Sequence, residues 1–236
     1  MQVEFYPLGD NGVLIELGPS FTEETHQHVQ MVAAFLEQVE LEWLIEFSIA
    51  VTSVTVFYCP VTIANMHSIN PYEYVCQYFK KALVTSKTGD TIKHRLIRIP
   101  VCYGGEFGPD LENVANYHQL STEEVIKIHT ESEYFVYMIG FAPGFPYLGG
   151  LPDTLATPRL ETPRLKIPAR SVGIGGGQTG VYPISTPGGW QIIGCTPLEL
   201  FTPEKEIPSL LRSGDKVQFY SISPSDYSSM RRIIHD

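Results

Sequence analysis

The sequence predicts an α+β chain in two parts: an N-terminal α+β sandwich domain over 1–90 and a C-terminal domain of short strands, a barrel or a sandwich, over 91–236. Three observations carry that expectation. The first ninety residues alternate strand-like and helix-like segments in the order β-β-α-β-β-α. The polar stretch Thr85–His94, with Gly89-Asp90 inside it, reads as a linker. Beyond it, 11 of the 20 Gly and 10 of the 18 Pro crowd into Phe141–Pro203. That density would signal disorder if it were not interleaved with aromatics and short apolar runs, which argue for a turn-rich β domain instead.

Taken in order, Val3–Leu8 and Val13–Leu17 are apolar runs separated by Gly9-Asp10-Asn11-Gly12, a cluster suited to a hairpin. A helix follows, with Ser20 or Thr22 as its cap and Glu23 and Glu24 in its first turn. Its apolar stripe is Val29, Val32, Ala33 and Leu36. Residues 43–59 are β-branched and aromatic and form two strands. Asn70-Pro71-Tyr72-Glu73 opens a second helix with a cap, a Pro at the first position and a Glu at the third. After the strand Leu96–Val101, a glycine-rich loop delivers Asp110 as the cap of a helix reaching about His118. Ser121-Thr-Glu-Glu124 is a capping box opening a helix to about His129. From Tyr134 onward the helical signal stops. Strand-like pieces (Phe135–Ile139, Val172–Ile174, Val181–Ile184, Trp190–Gly194, Lys216–Ile222) alternate with Gly/Pro turns.

Charge narrows the function classes. The chain has 16 Lys+Arg against 26 Asp+Glu, a net charge of −10, which argues against general nucleic-acid binding. No apolar run approaches the roughly 20 residues of a membrane span, and Met1–Phe5 lacks the basic start of a secretory signal. The expectation is a cytoplasmic protein. Cys59, Cys76, Cys102 and Cys195 are widely spaced without a CxxC, and of the histidines only His26 and His28 are close, so no metal site is expected.

The motifs concentrate in the second part. Gly175, Gly177 and Gly180 satisfy GxGxxG, but Pro183 and Pro187 forbid the helix that a dinucleotide site needs, and no Walker lysine follows. Two readings stay open for this loop: an anion nest of bare N–H groups, or tight corners where side chains would clash. Thr157-Pro-Arg-Leu-Glu161 repeats at once as Thr162-Pro-Arg-Leu-Lys166, an extended segment whose Arg159, Arg164, Lys166 and Arg170 oppose a single Glu161. Phe141, Phe145 and Tyr147, stiffened by Pro143 and Pro146, form either a pocket wall or a plug, and Trp190 shares that ambiguity. No GxSxG elbow or catalytic-cysteine context is present. His129 is a candidate general base, and equally a capping or core residue.

Together Val101–Asp110, Gly140–Leu148, Thr162-Pro-Arg164, Gly177–Pro183, Pro187–Trp190 and Ile193-Gly194 resemble the family of 5-oxoprolinase B subunits, formerly called allophanate hydrolase subunit 1, which includes the histidine-kinase inhibitor KipI. The resemblance implies a cyclophilin-like β-barrel as the C-terminal domain. It also implies a bacterial, cytoplasmic protein that works with the A and C subunits in ATP-dependent opening of 5-oxoproline to L-glutamate and is inactive alone. The alternative it implies is a regulatory inhibitor of a sporulation sensor histidine kinase. ATP is expected at the level of the complex. Carried over, His129, Arg159 and Arg164 are the catalytic candidates. Tyr134, Phe141, Phe145, Tyr147, Ser171, Gly177, Gln178, Thr179 and Trp190 are the substrate- or phosphate-binding candidates. A phosphorylated intermediate is what the arginines and backbone N–H groups would stabilise. Arg170 stands where the family pattern has Gly, and is expected to narrow the cleft or touch phosphate.

Overall fold

The computed structural model describes residues 3–20, 22–85 and 94–235, in two units divided between 93 and 94. The expected linker falls almost wholly on 86–93, outside the described residues.

In the first unit, β1 (Glu4–Leu8) and β2 (Gly12–Glu16) pair antiparallel with Leu8 opposite Gly12. Gly9 takes a φ of +61° in the turn, a conformation cheap only for glycine. Helix α1 (Glu23–Gln38) starts where Thr22 accepts from the N–H of Thr25 at 3.1 Å. With β3 (Leu44–Ile49) and β4 (Ser53–Tyr58) the sheet order is β1-β2-β4-β3. A short helix α2 (Pro60–Met66), which the sequence pattern did not predict, begins directly on a proline at its first position. Helix α3 (Pro71–Thr85) is capped by Asn70, whose side-chain oxygen accepts from Tyr72 and Glu73 at 3.0 and 3.3 Å. The central strands supply Val13, Ile15, Val54 and Val56 to a core closed by Val29, Val32, Trp43 and Phe79.

The second unit is a closed barrel, not a sandwich. Its strands are β5 (Leu96–Tyr103), β6 (Glu133–Ile139), β7 (Pro146–Gly149), β9 (Ser171–Gly175), β10 (Gln178–Val181), β12 (Gln191–Cys195) and β13 (Lys216–Ser221), in the order β10-β7-β6-β13-β5-β12-β9. Closure removes the open edges that so many short strands would otherwise expose. Strands β8 (Arg164–Ile167) and β11 (Thr186–Gly188) form a separate two-stranded sheet, so the second half of the Thr-Pro-Arg-Leu repeat is extended. Strand β10 ends at Val181, earlier than expected, because Pro183 has no N–H for the ladder. Helix α4 (Leu111–His118) and helix α5 (Thr122–Glu131) add Leu111, Val114 and Val125 to the core of Ile99, Val101, Val136, Leu148 and Ile174. The capping box at Ser121 and Glu124 forms with both its bonds. The chain closes with a second unpredicted helix, α6 (Pro224–His235). Ser223 and Asp226 exchange bonds there as in a capping box, with Asp in the place of Glu. No described helix is long and apolar enough to cross a membrane.

Candidate functional site

Ten residues of the second unit enclose a cleft of about 310 Å³: Phe141, Phe145, Tyr147, Arg159, Pro163, Tyr182, Pro187, Gly188, Gly189 and Trp190. Phe145 is its hub. The rings of Phe141, Tyr147, Tyr182 and Trp190 all meet it edge-on, with centroids 5.3–5.7 Å away. Edge-to-face contact of this kind is favourable beyond the area it buries, and it fixes the walls. Trp190 is seated by glycines. A Cβ on Gly175 would stand 2.4 Å from its indole, and one on Gly180 would stand 3.0 Å away. Gly175 pairs with Gln178 across a two-residue turn in which Gly176 has φ +63°, as in a type II′ hairpin. Of the two readings of the glycine-rich loop, clash avoidance therefore accounts for Gly175 and Gly180. Gly176 and Gly177 stand open at the hairpin tip.

An ion pair between a buried carboxylate and a half-buried guanidinium ties the cleft walls together. Asp110 sits at the head of α4, as expected, yet its carboxylate makes no cap bond. It accepts two bonds from Arg164, at 2.7 and 2.9 Å, and one from the N–H of Ile192 at 2.6 Å. Arg164 follows Pro163, and Ile192 lies two residues past Trp190, so one carboxylate fixes both sides of the cleft. The local rule of N-capping gives way to a three-point, charge-assisted contact. The guanidinium of Arg159 lies 6.0 Å from the Trp190 ring centroid and is the one charged side chain in the lining.

The model of the carboxyltransferase domain, subdomain C and D, matches residues 3–211. The chain belongs to this family. It is 48% identical over 233 residues to a protein of Bacillus subtilis named as the B subunit of 5-oxoprolinase, covering 95% of each chain. A Haemophilus influenzae protein of the same name is 42% identical over 90% of this chain and 95% of its own length. Among solved structures, a conserved uncharacterized protein from Pyrococcus horikoshii matches at 43% identity and a TM-score of 0.55, over 95% of this chain and all of that one.

In this carboxyltransferase-family chain the sequence candidates separate into two groups. Arg159, Phe141, Phe145, Tyr147 and Trp190 come together in the cleft. His129, Tyr134, Ser171 and Thr179 are buried in the barrel wall and core and do not line the cleft. His129 is fully buried between the Tyr103 hydroxyl, 2.8 Å from Nδ1, and the Thr179 hydroxyl, 3.0 Å from Nε2. Because Thr179 donates to the Gly173 carbonyl, it accepts from Nε2–H, and Nδ1 accepts from Tyr103. Burial holds the His129 pKa down at about 3, since a charged imidazole has no water or carboxylate to compensate it. Tyr134, raised far above the usual phenol range by burial, donates to the His129 carbonyl at 2.9 Å. Gln178 is half-buried and, like Gly177, outside the lining. Arg170 adopts φ +72°, left-handed backbone that suits glycine, and reaches toward Glu199 at 4.0 Å. It is not in the lining, so it does not narrow the cleft.

Tyr182 was missing from the sequence candidates. Its run Val181-Tyr182-Pro183 reads as ordinary strand, and only pairing distant in sequence sets it beside Trp190. Burial raises its pKa, while the Arg159 charge, the Trp190 backbone N–H and the Arg164 charge draw it back. Among the described residues no group of three or more His, Cys, Asp or Glu is placed to hold a metal ion.

Proposed function

We propose that this chain is the B subunit of an ATP-dependent 5-oxoprolinase, opening 5-oxo-L-proline to L-glutamate in concert with the A and C subunits, and that its cleft forms part of the substrate pocket. The observation that carries the reading is the 48% identity, over 95% of both chains, to a protein bearing that name. The cleft supports it chemically: flat aromatic walls suit a small ring, and Arg159 suits an anion. The lining holds no carboxylate or imidazole, so the base for water and the ligands for a magnesium-bound nucleotide have to come from elsewhere in the complex. We therefore infer that the chain is inactive alone, that ATP is held at the level of the complex, and that the whole works in the cytoplasm. In the same reading the barrel is a C-terminal domain of cyclophilin-like type, following an N-terminal α+β sandwich domain.

The test is replacement. This chain takes the place of the native B subunit in the reconstituted Bacillus subtilis enzyme, and ATP-dependent glutamate release is measured. Activity in the mixture and none from the chain alone is expected. Full turnover by the isolated chain would refute the shared site, and an inactive mixture beside an active native control would refute the assignment.

A further inference from the structure

Two groups in the cleft have no committed partner, and they converge. Arg164 is spent on Asp110, but Arg159 forms no ion pair among the described residues, and no carboxylate shares its cleft. The second group is the Tyr182 hydroxyl. The Tyr182 ring is 3% exposed, wedged edge-on between Phe145 and Trp190 with centroids at 5.4 and 6.0 Å. Its oxygen emerges against the glycine pair of the cleft: a Cβ on Gly188 would stand 2.7 Å from it. No acceptor among the described residues takes the phenol O–H, which is left to give. Arg159 and Tyr182 line the same cleft, and each lies 6.0 Å from the Trp190 ring centroid, the one by its guanidinium and the other by its ring.

A guanidinium and a phenol O–H aimed into one aromatic cleft, in a chain of net charge −10, are a two-point donor set for a single anionic group on a small flat body. We propose that Arg159 and Tyr182 together hold the carboxylate of 5-oxo-L-proline while its lactam ring lies against Trp190 and Phe145. This rests on the substrate reading above and adds Tyr182 as the residue that selects a carboxylated lactam over a neutral one. The lactam carbonyl is left facing the open mouth, where the partner subunits supply the chemistry. Inorganic phosphate is the rival anion for the same donors.

The experiment uses the reconstituted complex with saturating ATP. Tyr182→Phe keeps the ring and its contacts and removes only the hydroxyl. It is expected to raise KM for 5-oxoproline about tenfold or more, the worth of a hydrogen bond to a charged group, with kcat within about twofold of wild type. The same substitution should leave inhibition by 2-pyrrolidone, the ring without the carboxylate, unchanged. Arg159→Ala should raise KM further and abolish the preference for 5-oxoproline over 2-pyrrolidone. An unchanged KM in Tyr182→Phe overturns the proposal, as does equal weakening of both lactams. Competitive inhibition by phosphate that disappears in Tyr182→Phe also overturns it, because the pair would then be a phosphate site. An inactive wild-type complex condemns the functional assignment itself, so the two failures are distinguishable.

Discussion

The buried His129 makes the stability of the barrel depend on pH in a calculable way. Free in an unfolded chain, a histidine titrates near 6.5, whereas in the fold it stays neutral down to about pH 3. Below pH 6.5 the unfolded state therefore binds a proton that the folded state refuses. The stability that comes from keeping this ring neutral is fully present above pH 6.5 and drains away as the pH falls toward 3. The slope approaches about 1.4 kcal/mol per pH unit, so between pH 7.5 and 5 the loss from this one residue is about 2 kcal/mol. By pH 3 it reaches about 4 kcal/mol, a large fraction of an ordinary domain's stability of about 5–15 kcal/mol. The range 7.5–5 is the useful one because most carboxylates have not yet begun to protonate. Trp43 and Trp190 are the two tryptophans, so Trp43→Phe leaves an emission signal from the cleft alone. Urea unfolding of that protein at a series of pH values, against the same protein carrying His129→Gln, isolates the effect. The Gln variant is expected to be weaker at every pH but to lose about 2 kcal/mol less over the interval. Parallel curves would refute the reasoning. NMR titration of the His129 ring gives a check that needs no variant: protonation near pH 6 would also refute it.

Four further outcomes rest on particular contacts. Arg164→Ala leaves the nearly buried Asp110 with only the Ile192 N–H and should cost about 2–4 kcal/mol in urea unfolding, at the low end because Arg164 is a third exposed. Arg164→Lys should recover less than half of that, since one ammonium does not reproduce the two parallel bonds. Gly175→Ala drives a methyl into the Trp190 indole and should cost about 1–3 kcal/mol with a red-shifted Trp190 emission; a spectrum like the parent's would show the glycine is not the seat of the ring. Ser223→Ala removes the cap of α6 and should lower its amide-exchange protection by about 0.5–2 kcal/mol while leaving the barrel strands as they were.

What was legible in the sequence was whatever local chemistry decides. The Gly9–Gly12 turn, the Thr22 cap and the Ser121–Glu124 box each sit within a few residues of what they control, and each formed where the residues placed it. The α6 start, Ser223-Pro224 with Asp226 at the third position, carries the same signal, but its serine-rich polar face gives little apolar periodicity to confirm a helix. Helix α2 has no side-chain cap bond at all, and its seven residues are too few to show a period. In the site, the aromatic cluster of 141–147 and Arg159 were readable because glycine, proline and charge stood out from their surroundings. Tyr182 and Asp110 were not, because their roles depend on partners far along the chain: Asp110 meets Arg164 across 54 residues and Ile192 across 82. Local rules assign such residues their local role.

The glycine-rich segment ties the barrel core to the cleft, and this bears on how the catalytic candidates of the sequence are to be understood. Gly173 carries both connections. Its carbonyl takes the hydrogen bond of Thr179, which in turn takes that of His129, while a Cβ in its place would lie 3.3 Å from the Trp190 Cβ. A histidine locked in that chain lies outside the cleft lining, and burial keeps its ring neutral near neutral pH. Through Thr179 it is bonded to Gly173 of β9, the glycine that Trp190 approaches. On the other side, Asp110 is bonded to Ile192 and to Arg164, the residue after Pro163. Of the three residues that sequence chemistry nominates for the reaction, His129 and Arg164 are thus engaged in bonds within the barrel and the cleft walls, and Arg159 is the one that lines the cleft. Losses of activity in His129 or Arg164 variants are therefore expected to track losses of stability, whereas those in Arg159 variants are not.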